Sequence, residues 1–567
     1  MPSEPRHVPF RMPERILAEL AAGGGSAEAV AFLERAERAR RLLLLRTLLD
    51  RLDTLSTPLS SAAEAWGVLK EAAAAAPGPV DRLLLAPATG GWIAHLLRRL
   101  HGTASGPPLW AEAGHLCALA VAASLRAGTR AGLRVPLTDG ALPLPGLGLA
   151  RLAEAEAGLT VGRARTGGGE LMLSGPGRDG GTVSSTVRPA TRPLPAPTAE
   201  SPAWLPLRTL THRAPDGPVA IPLEDLDPYR DLDDPLPPAR LDPDEAETWQ
   251  RLFEEAAALL AVPGGDGPGR FDVREIRAVV PWGRTGTLPP APPTVAVSAS
   301  SGDSFGAMVI ARPSSGTALA ETLVHEFQHS KLAALLHLFP LLDDDREERY
   351  YAPWRPDPRH LTGLLHGAYA FTGVAGFWRD RLAAARDARA ADIAGYHFAL
   401  RRLQSRLVVR TLLAEGRLTA QGRVLVTGLA RTLDGWLREP VPYAALIRAR
   451  TAAALHRTEW RLRNVVPAGA AAPAEDLRFR PDRTSWPDVR THAFATRPAG
   501  PRTADEHLAA GDAAAALVRY AGLLADAPAE PHALAGWIVA RTILEPGRAA
   551  RRMLARPEEL LEPSPRV

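Results

Sequence analysis

Cysteine is all but missing from this chain: Cys117 is the only one in 567 residues. That excludes an intrachain disulfide and any zinc or iron–sulfur site built on several thiolates. Cys117 sits in the apolar run His115-Leu116-Cys117-Ala118-Leu119-Ala120 and reads as a small buried hydrophobe. Lysine is nearly as scarce, with Lys70 and Lys331 the only two among 67 basic residues. Long apolar runs are absent as well. No stretch is long and uncharged enough to cross a bilayer, and Met1-Pro2-Ser3-Glu4-Pro5-Arg6-His7 lacks the apolar centre of a signal peptide. A cytoplasmic chain without a membrane partner is the expectation. Neither sign of charge is in large excess. The net charge is +4 and the arginines are scattered without a dense basic block, which argues against nucleic acid as a partner despite a pI near 9.5.

What is present is a globular composition, 46% hydrophobic and 23% charged, in a chain long enough for about two to four domains. Amphipathic runs such as those at 27–52 and 109–127 predict a helical N-terminal region over 1–132. Residues 133–243 turn to Gly, Pro, Thr and Val with alternation in Leu133-Arg134-Val135-Pro136-Leu137 and Gly169-Glu170-Leu171-Met172-Leu173-Ser174. That predicts a small antiparallel β layer followed by a Pro- and Asp-rich connector. Segment 244–465 starts with a helix at 244–262. Strands follow near 275–281 and 294–312, where Thr294–Ser298 and Gly306–Ala311 form a hairpin-like pair, and helices dominate from 358. A Pro/Arg-rich linker over 466–502 precedes a tail, 503–567, with two or three helices and no periodic repeat. The expected class is α+β and predominantly α-helical.

The densest chemical signal is His325-Glu326-Phe327-Gln328-His329. HExxH on a helix sets two imidazoles one turn apart, aimed at one divalent metal. Its frame runs from Ala318 to Leu336 without Gly or Pro. His325, His329, Leu332 and Leu336 share one face by their i, i+4, i+7, i+11 spacing. The plain alternative is a pair of core histidines. A stable site needs a third ligand, and His366 in Leu364-Leu365-His366-Gly367-Ala368 is the leading choice, with Gly367 letting its helix approach the first. Asp343, Asp344, Asp345, Glu347, Glu348 and His360 compete, although the acidic run also reads as a solvated turn. Lys331 lies off the histidine face, which fits a flanking salt bridge better than a metal contact.

Several stretches together resemble the HEXXH motif domain family of peptide-modification proteins. They are Ser298-Ala299-Ser300-Ser301, Phe305-Gly306-Ala307 and Glu321-Thr322-Leu323-Val324 leading into the pentad and Ser330-Lys331-Leu332. With them go Leu85-Ala86-Pro87, Gly91-Trp92, Arg126-Ala127-Gly128, Asp227-Pro228-Tyr229-Arg230, Pro353-Trp354-Arg355, Leu364-Leu365-His366-Gly367 and Trp460-Arg461-Leu462-Arg463-Asn464. The resemblance spans about residues 10 to 465 and leaves out the tail. It implies an Fe(II)- and 2-oxoglutarate-dependent oxygenase that hydroxylates the β-carbon of a residue in a ribosomally synthesised precursor peptide, working beside other peptide-modifying enzymes. With it comes a zincin-like placing of the active-site helix.

Such chemistry needs three protein ligands on one side of iron. His325, His329 and His366 would make an all-nitrogen set, a departure from two histidines and a carboxylate. The far carboxylate of 2-oxoglutarate calls for an arginine fork, and Arg355, held between prolines, is the first choice over Arg349, Arg359, Arg312 and Lys331. Its plain alternative is a surface arginine stacked on Trp354. Glu326 points elsewhere: in a zinc peptidase it would be the general base, while in an oxygenase it would anchor water or an imidazole. For substrate, the strand around Gly306, Ala307 and Met308 is a candidate edge for an extended peptide, or else a fully paired interior strand. Tyr351 and Trp354 are candidate pocket walls within the aromatic group Tyr350, Tyr351, Trp354, Tyr369, Phe371, Phe377 and Trp378, the last two being the most core-like. A zinc metallopeptidase and a non-catalytic scaffold for a peptide or partner enzyme are the alternative readings.

Overall fold

The computed structural model describes residues 11–190, 200–232, 234–261, 267–282, 298–466, 478–479 and 492–561. The chain forms two compact units. One comprises Ala27–Pro263 and Phe271–Leu338; the other comprises Met1–Ser26, Gly264–Arg270 and Phe339–Val567. They are called here the sheet unit and the helical unit. Segment 244–465 is divided between them, with 244–263 and 271–338 in the sheet unit and 264–270 and 339–465 in the helical unit. Most of 466–502 lies outside the described residues, as do Thr294–Val297 of the expected hairpin. Helix is the majority structure, as composition and periodicity predict, and no helix among the described residues is long and apolar enough to span a membrane.

In the sheet unit, the expected small β layer is a seven-stranded antiparallel sheet built from residues 131–206. Strand Ala131–Thr138 pairs along its whole length with Leu159–Gly167, from Ala131 opposite Thr166 to Thr138 opposite Leu159. Leu133, Val135 and Leu137 point inward while Gly132 and Arg134 face out, the alternation expected of a half-buried strand. The inward face packs with helix His115–Ala127, which is buried along nearly its whole length and carries Cys117.

A second sheet of five strands positions the HExxH helix. Its order is Ser298–Ala299, Ala307–Ile310, Ala278–Pro281, Gly217–Leu223, Arg208–Ala214. It is mixed rather than purely antiparallel, because Ala278–Pro281 runs parallel to both of its neighbours. The hairpin-like pairing appears as Ser298 opposite Ile310 and Ala299 opposite Val309. Chain leaves Ile310 and enters helix Gly316–Leu338 after a short turn, with Ser315 Oγ accepting the Ala318 N–H at 3.2 Å. Pro340 stands just beyond the helix end.

The helical unit contains Leu361–Ala383, Ala388–Ala414, Ala420–Leu437 and Tyr443–Asn464, followed by the four tail helices Ala504–Ala510, Ala513–Asp526, Pro531–Leu544 and Arg548–Ala555. The tail shares one core with Tyr396, Ala449 and Leu455 through Leu508, Ala516, Tyr520 and Ile538. At Gly536 a Cβ would lie 2.2 Å from the Tyr520 ring, so glycine is what lets the hairpin of helices close.

Candidate metal centre

Within the sheet unit, His325 and His329 are half-buried on the HExxH helix, and their Nε2 atoms lie 3.1 Å apart with the rings at 81°. That separation suits a hydrogen bond between neutral imidazoles, and it equally suits two ligands of one cation. With metal–nitrogen bonds of about 2.1 Å, two donors at a right angle sit roughly 3.0 Å apart. Burial lowers the His329 pKa to about 4, so its ring is neutral at physiological pH and offers a lone pair. The donor set and spacing therefore fit a divalent metal at two of its positions.

Glu326, between the two histidines in sequence, is bonded to the neighbouring strand. It is 1% exposed, and its Oε1 accepts the Ser298 hydroxyl at 2.6 Å. Its Oε2 has no hydrogen-bond partner among the described residues. Burial pushes the carboxyl above its ordinary range, and hydrogen bonds from Ser298 and Ser300 only partly offset this. Nothing local in the sequence marks Ser298 for this contact, which joins residues 28 positions apart. Lys331 is buried at 2% exposure, its ammonium 5.7 Å from the Phe327 ring. Burial lowers its pKa to about 8, against the opposing attraction of Glu275. The flanking charge expected there is thus an interior one.

The loop from Ser300 to Phe305 is clamped by the same unit. Arg41 donates to the carbonyls of Leu84, Ala86 and Asp303, while Arg40 holds the Asp303 carboxylate at 2.8 Å. A Cβ on Gly90 would lie 2.0 Å from the Asp303 carbonyl oxygen, so helix Pro87–Leu100 must carry glycine there. No local sequence pattern marks Arg41 or Gly90 for this task. Gly306, Ala307 and Met308 sit where the loop rejoins the sheet. Among the described residues, Ala307–Ile310 has a neighbour on each side in the sheet order, so of the two readings of Gly306–Ala311 the edge is corrected to the interior strand, and the edge strand is Ser298–Ala299.

The other sequence candidates belong to the helical unit. His366 is half-buried on helix Leu361–Ala383. Gly367 accommodates the Trp354 ring, whose Cζ2 would be 2.1 Å from a Cβ at that position. This gives Gly367 a task other than the helix approach expected for it. Trp354 also packs on Phe371 with ring centres 4.7 Å apart. Tyr351 is hydrogen-bonded to His456 Nδ1 at 2.9 Å and meets the Trp460 ring edge-on. Phe377 and Trp378 are core, in contact with each other. Arg355 is half exposed, and its Nε holds Asp357 at 2.8 Å.

Several competitors are engaged locally. His360 Nδ1 and Asp344 Oδ2 are 2.6 Å apart, and the same oxygen takes the Thr362 N–H, capping the helix start. Asp345 and Glu347 pair with Arg349. Among the described residues, no group of three or more His, Cys, Asp or Glu side chains is gathered as a metal-ion site. No protein-family model matches this chain, and no curated protein matches it.

Proposed function

We propose that this chain is an Fe(II)- and 2-oxoglutarate-dependent oxygenase that hydroxylates the β-carbon of a residue in a ribosomally synthesised precursor peptide. The observation that carries the reading is the convergence of His325 Nε2 and His329 Nε2 at 3.1 Å on one helix face. His366 is the proposed third ligand, on the sequence argument. Bound there, Fe(II) with 2-oxoglutarate would supply the oxidising power to take hydrogen from an unactivated C–H bond. The chain's own part is to hold and orient. Glu326 accepts the Ser298 hydroxyl, a contact that suits an anchor for the edge strand. Ser298–Ala299 is the edge of its sheet among the described residues, and in the proposed zincin-like arrangement its backbone groups would pair with an extended peptide. Arg355 would bind the cosubstrate carboxylate by exchanging it for Asp357.

A zinc metallopeptidase is the second reading, favoured by one observation. The unpartnered Oε2 and the raised pKa of Glu326 are properties wanted in a general base. Protein loaded with Fe(II) without oxygen, then given 2-oxoglutarate, air and the precursor peptide, separates the two by mass spectrometry. One added oxygen with succinate release, abolished in His325→Ala, supports the oxygenase; a cleaved peptide with bound zinc, abolished in Glu326→Gln, replaces it.

A further inference from the structure

We propose that helices Ala388–Ala414 and Tyr443–Asn464 form a docking face for an acidic peptide, with Arg410, Arg450 and Arg457 as its contact cations. Both helices are rich in arginine. Arg389, Arg401, Arg402, Arg406 and Arg410 stand against Asp392 on the first helix, and Arg448, Arg450, Arg457, Arg461 and Arg463 against Glu459 on the second. Together the two helices carry +8 while the whole chain carries +4, so the remainder is net acidic. The scattered arginines of the linear sequence are gathered by folding, since these two helices pack on each other.

Their register makes the concentration sharper. Arg448 reaches Asp392 at 2.7 Å near the start of both helices, so they run parallel from that point. Further along, like charges meet at two levels. Arg402, buried and bonded to the carbonyls of Trp436 and Glu439, lies in the field of Arg450. Arg457 lies in the fields of Arg461 and Arg410; partial burial first, then these neighbours, hold its pKa down, with Tyr351 and Glu558 opposing. The levels are seven to eight residues apart, or roughly 11 Å along a helix.

Nearby acids are taken by other arginines. Asp434 pairs with Arg406, Glu558 with Arg461, Glu459 with Arg463 and Asp392 with Arg448. Arg410, Arg450 and Arg457 are exposed and make no ion pair among the described residues. Crowded like charges cost free energy that a bound anion recovers.

Apolar residues interleave with these cations. Tyr443, Ile447, Arg450, Ala454, Arg457 and Arg461 follow helical spacing on one face, with Tyr443 77% exposed and Ile447 and Ala454 half-buried. Leu403, Leu407 and Arg410 repeat the pattern on the neighbouring helix. An alternating apolar and cationic face suits an amphipathic acidic peptide better than a phosphate backbone. Its carboxylates would stand about 11 Å apart, as at i and i+7 of a helix.

The test reads binding with neither metal nor turnover, so it stands or falls apart from the oxygenase reading. Fluorescence anisotropy of the full chain with a labelled helical peptide bearing two glutamates seven residues apart should show saturable, salt-sensitive binding. Arg450→Glu combined with Arg457→Glu should weaken it about tenfold or more, Arg410→Gln by less, and Arg51→Glu on the sheet unit not at all. Thermal melts check that each variant is folded. Equal binding of the glutamine version of the peptide, an unchanged Kd in the folded double variant, or tighter binding of a DNA duplex than of the peptide would overturn the proposal.

Discussion

At the residue scale, the metal reading rests on two imidazoles whose convergence was legible in five letters and whose 3.1 Å separation comes from the folded helix. His329→Ala removes one of two close nitrogen donors. Fe(II) or zinc bound per chain, measured by elemental analysis after dialysis, should fall by about tenfold or more. Glu326 is the opposite case. Its identity belongs to a motif, but its task depends on Ser298, which only folding brings to it. Ser298→Ala leaves a buried carboxyl with one partner fewer and should cost about 1–2 kcal/mol in urea unfolding. If Glu326 is an anchor, Glu326→Gln keeps hydroxylation within a few-fold, because an amide still accepts from Ser298.

Among the elements, alternating and helical periodicity predicted the β layer at Ala131–Thr138 and the HExxH helix well. Both signals are local, since they record which face of a strand or turn of a helix meets the core. Edges are not local. Whether Ala307–Ile310 is an interior or an edge strand depends on Ala278–Pro281 and Ser298–Ala299 lying on either side of it. The same holds for glycines. Gly367→Ala would drive a methyl into the Trp354 ring 2.1 Å away, and Gly90→Ala into a backbone oxygen at 2.0 Å. Each should destabilise by roughly 1–3 kcal/mol, with a lower melting temperature. Gly90 should be the costlier, because a carbonyl held by Arg41 yields less than a side chain.

For the whole molecule, the tail from Ala504 onward is part of the helical unit. His532 Nδ1 meets Glu459 at 2.8 Å and Nε2 meets Asp505 at 3.0 Å, while Tyr520 also donates to Asp505. Burial opposes a charge on His532, but Asp505 and Glu459 outweigh it and push the pKa up to about 9 from 6.5. A group protonated more readily in the folded chain stabilises it fully below its unfolded pKa. That stability is then lost as pH rises through the folded value. Unfolding free energy should therefore decline by about 2 kcal/mol between neutral pH and about pH 10, and His532→Gln should flatten the decline. A decline unchanged by the substitution would show that another group carries it.

The sequence by itself determined the residue types available for chemistry, the absence of a multi-cysteine centre, the helical frame of the HExxH pentad and the inward faces of its strands. These follow from covalent identity and from periodicities that reach no further than one element. The tertiary structure alone decided which strand is an edge among the described residues, which partner Glu326 has, why Gly367 cannot be larger, and that ten arginines scattered in the chain lie on two helices packed on each other, some buried or paired with acids and Arg410, Arg450 and Arg457 left exposed. Those are questions of distance between residues far apart in sequence, and packing of buried apolar surface sets such distances.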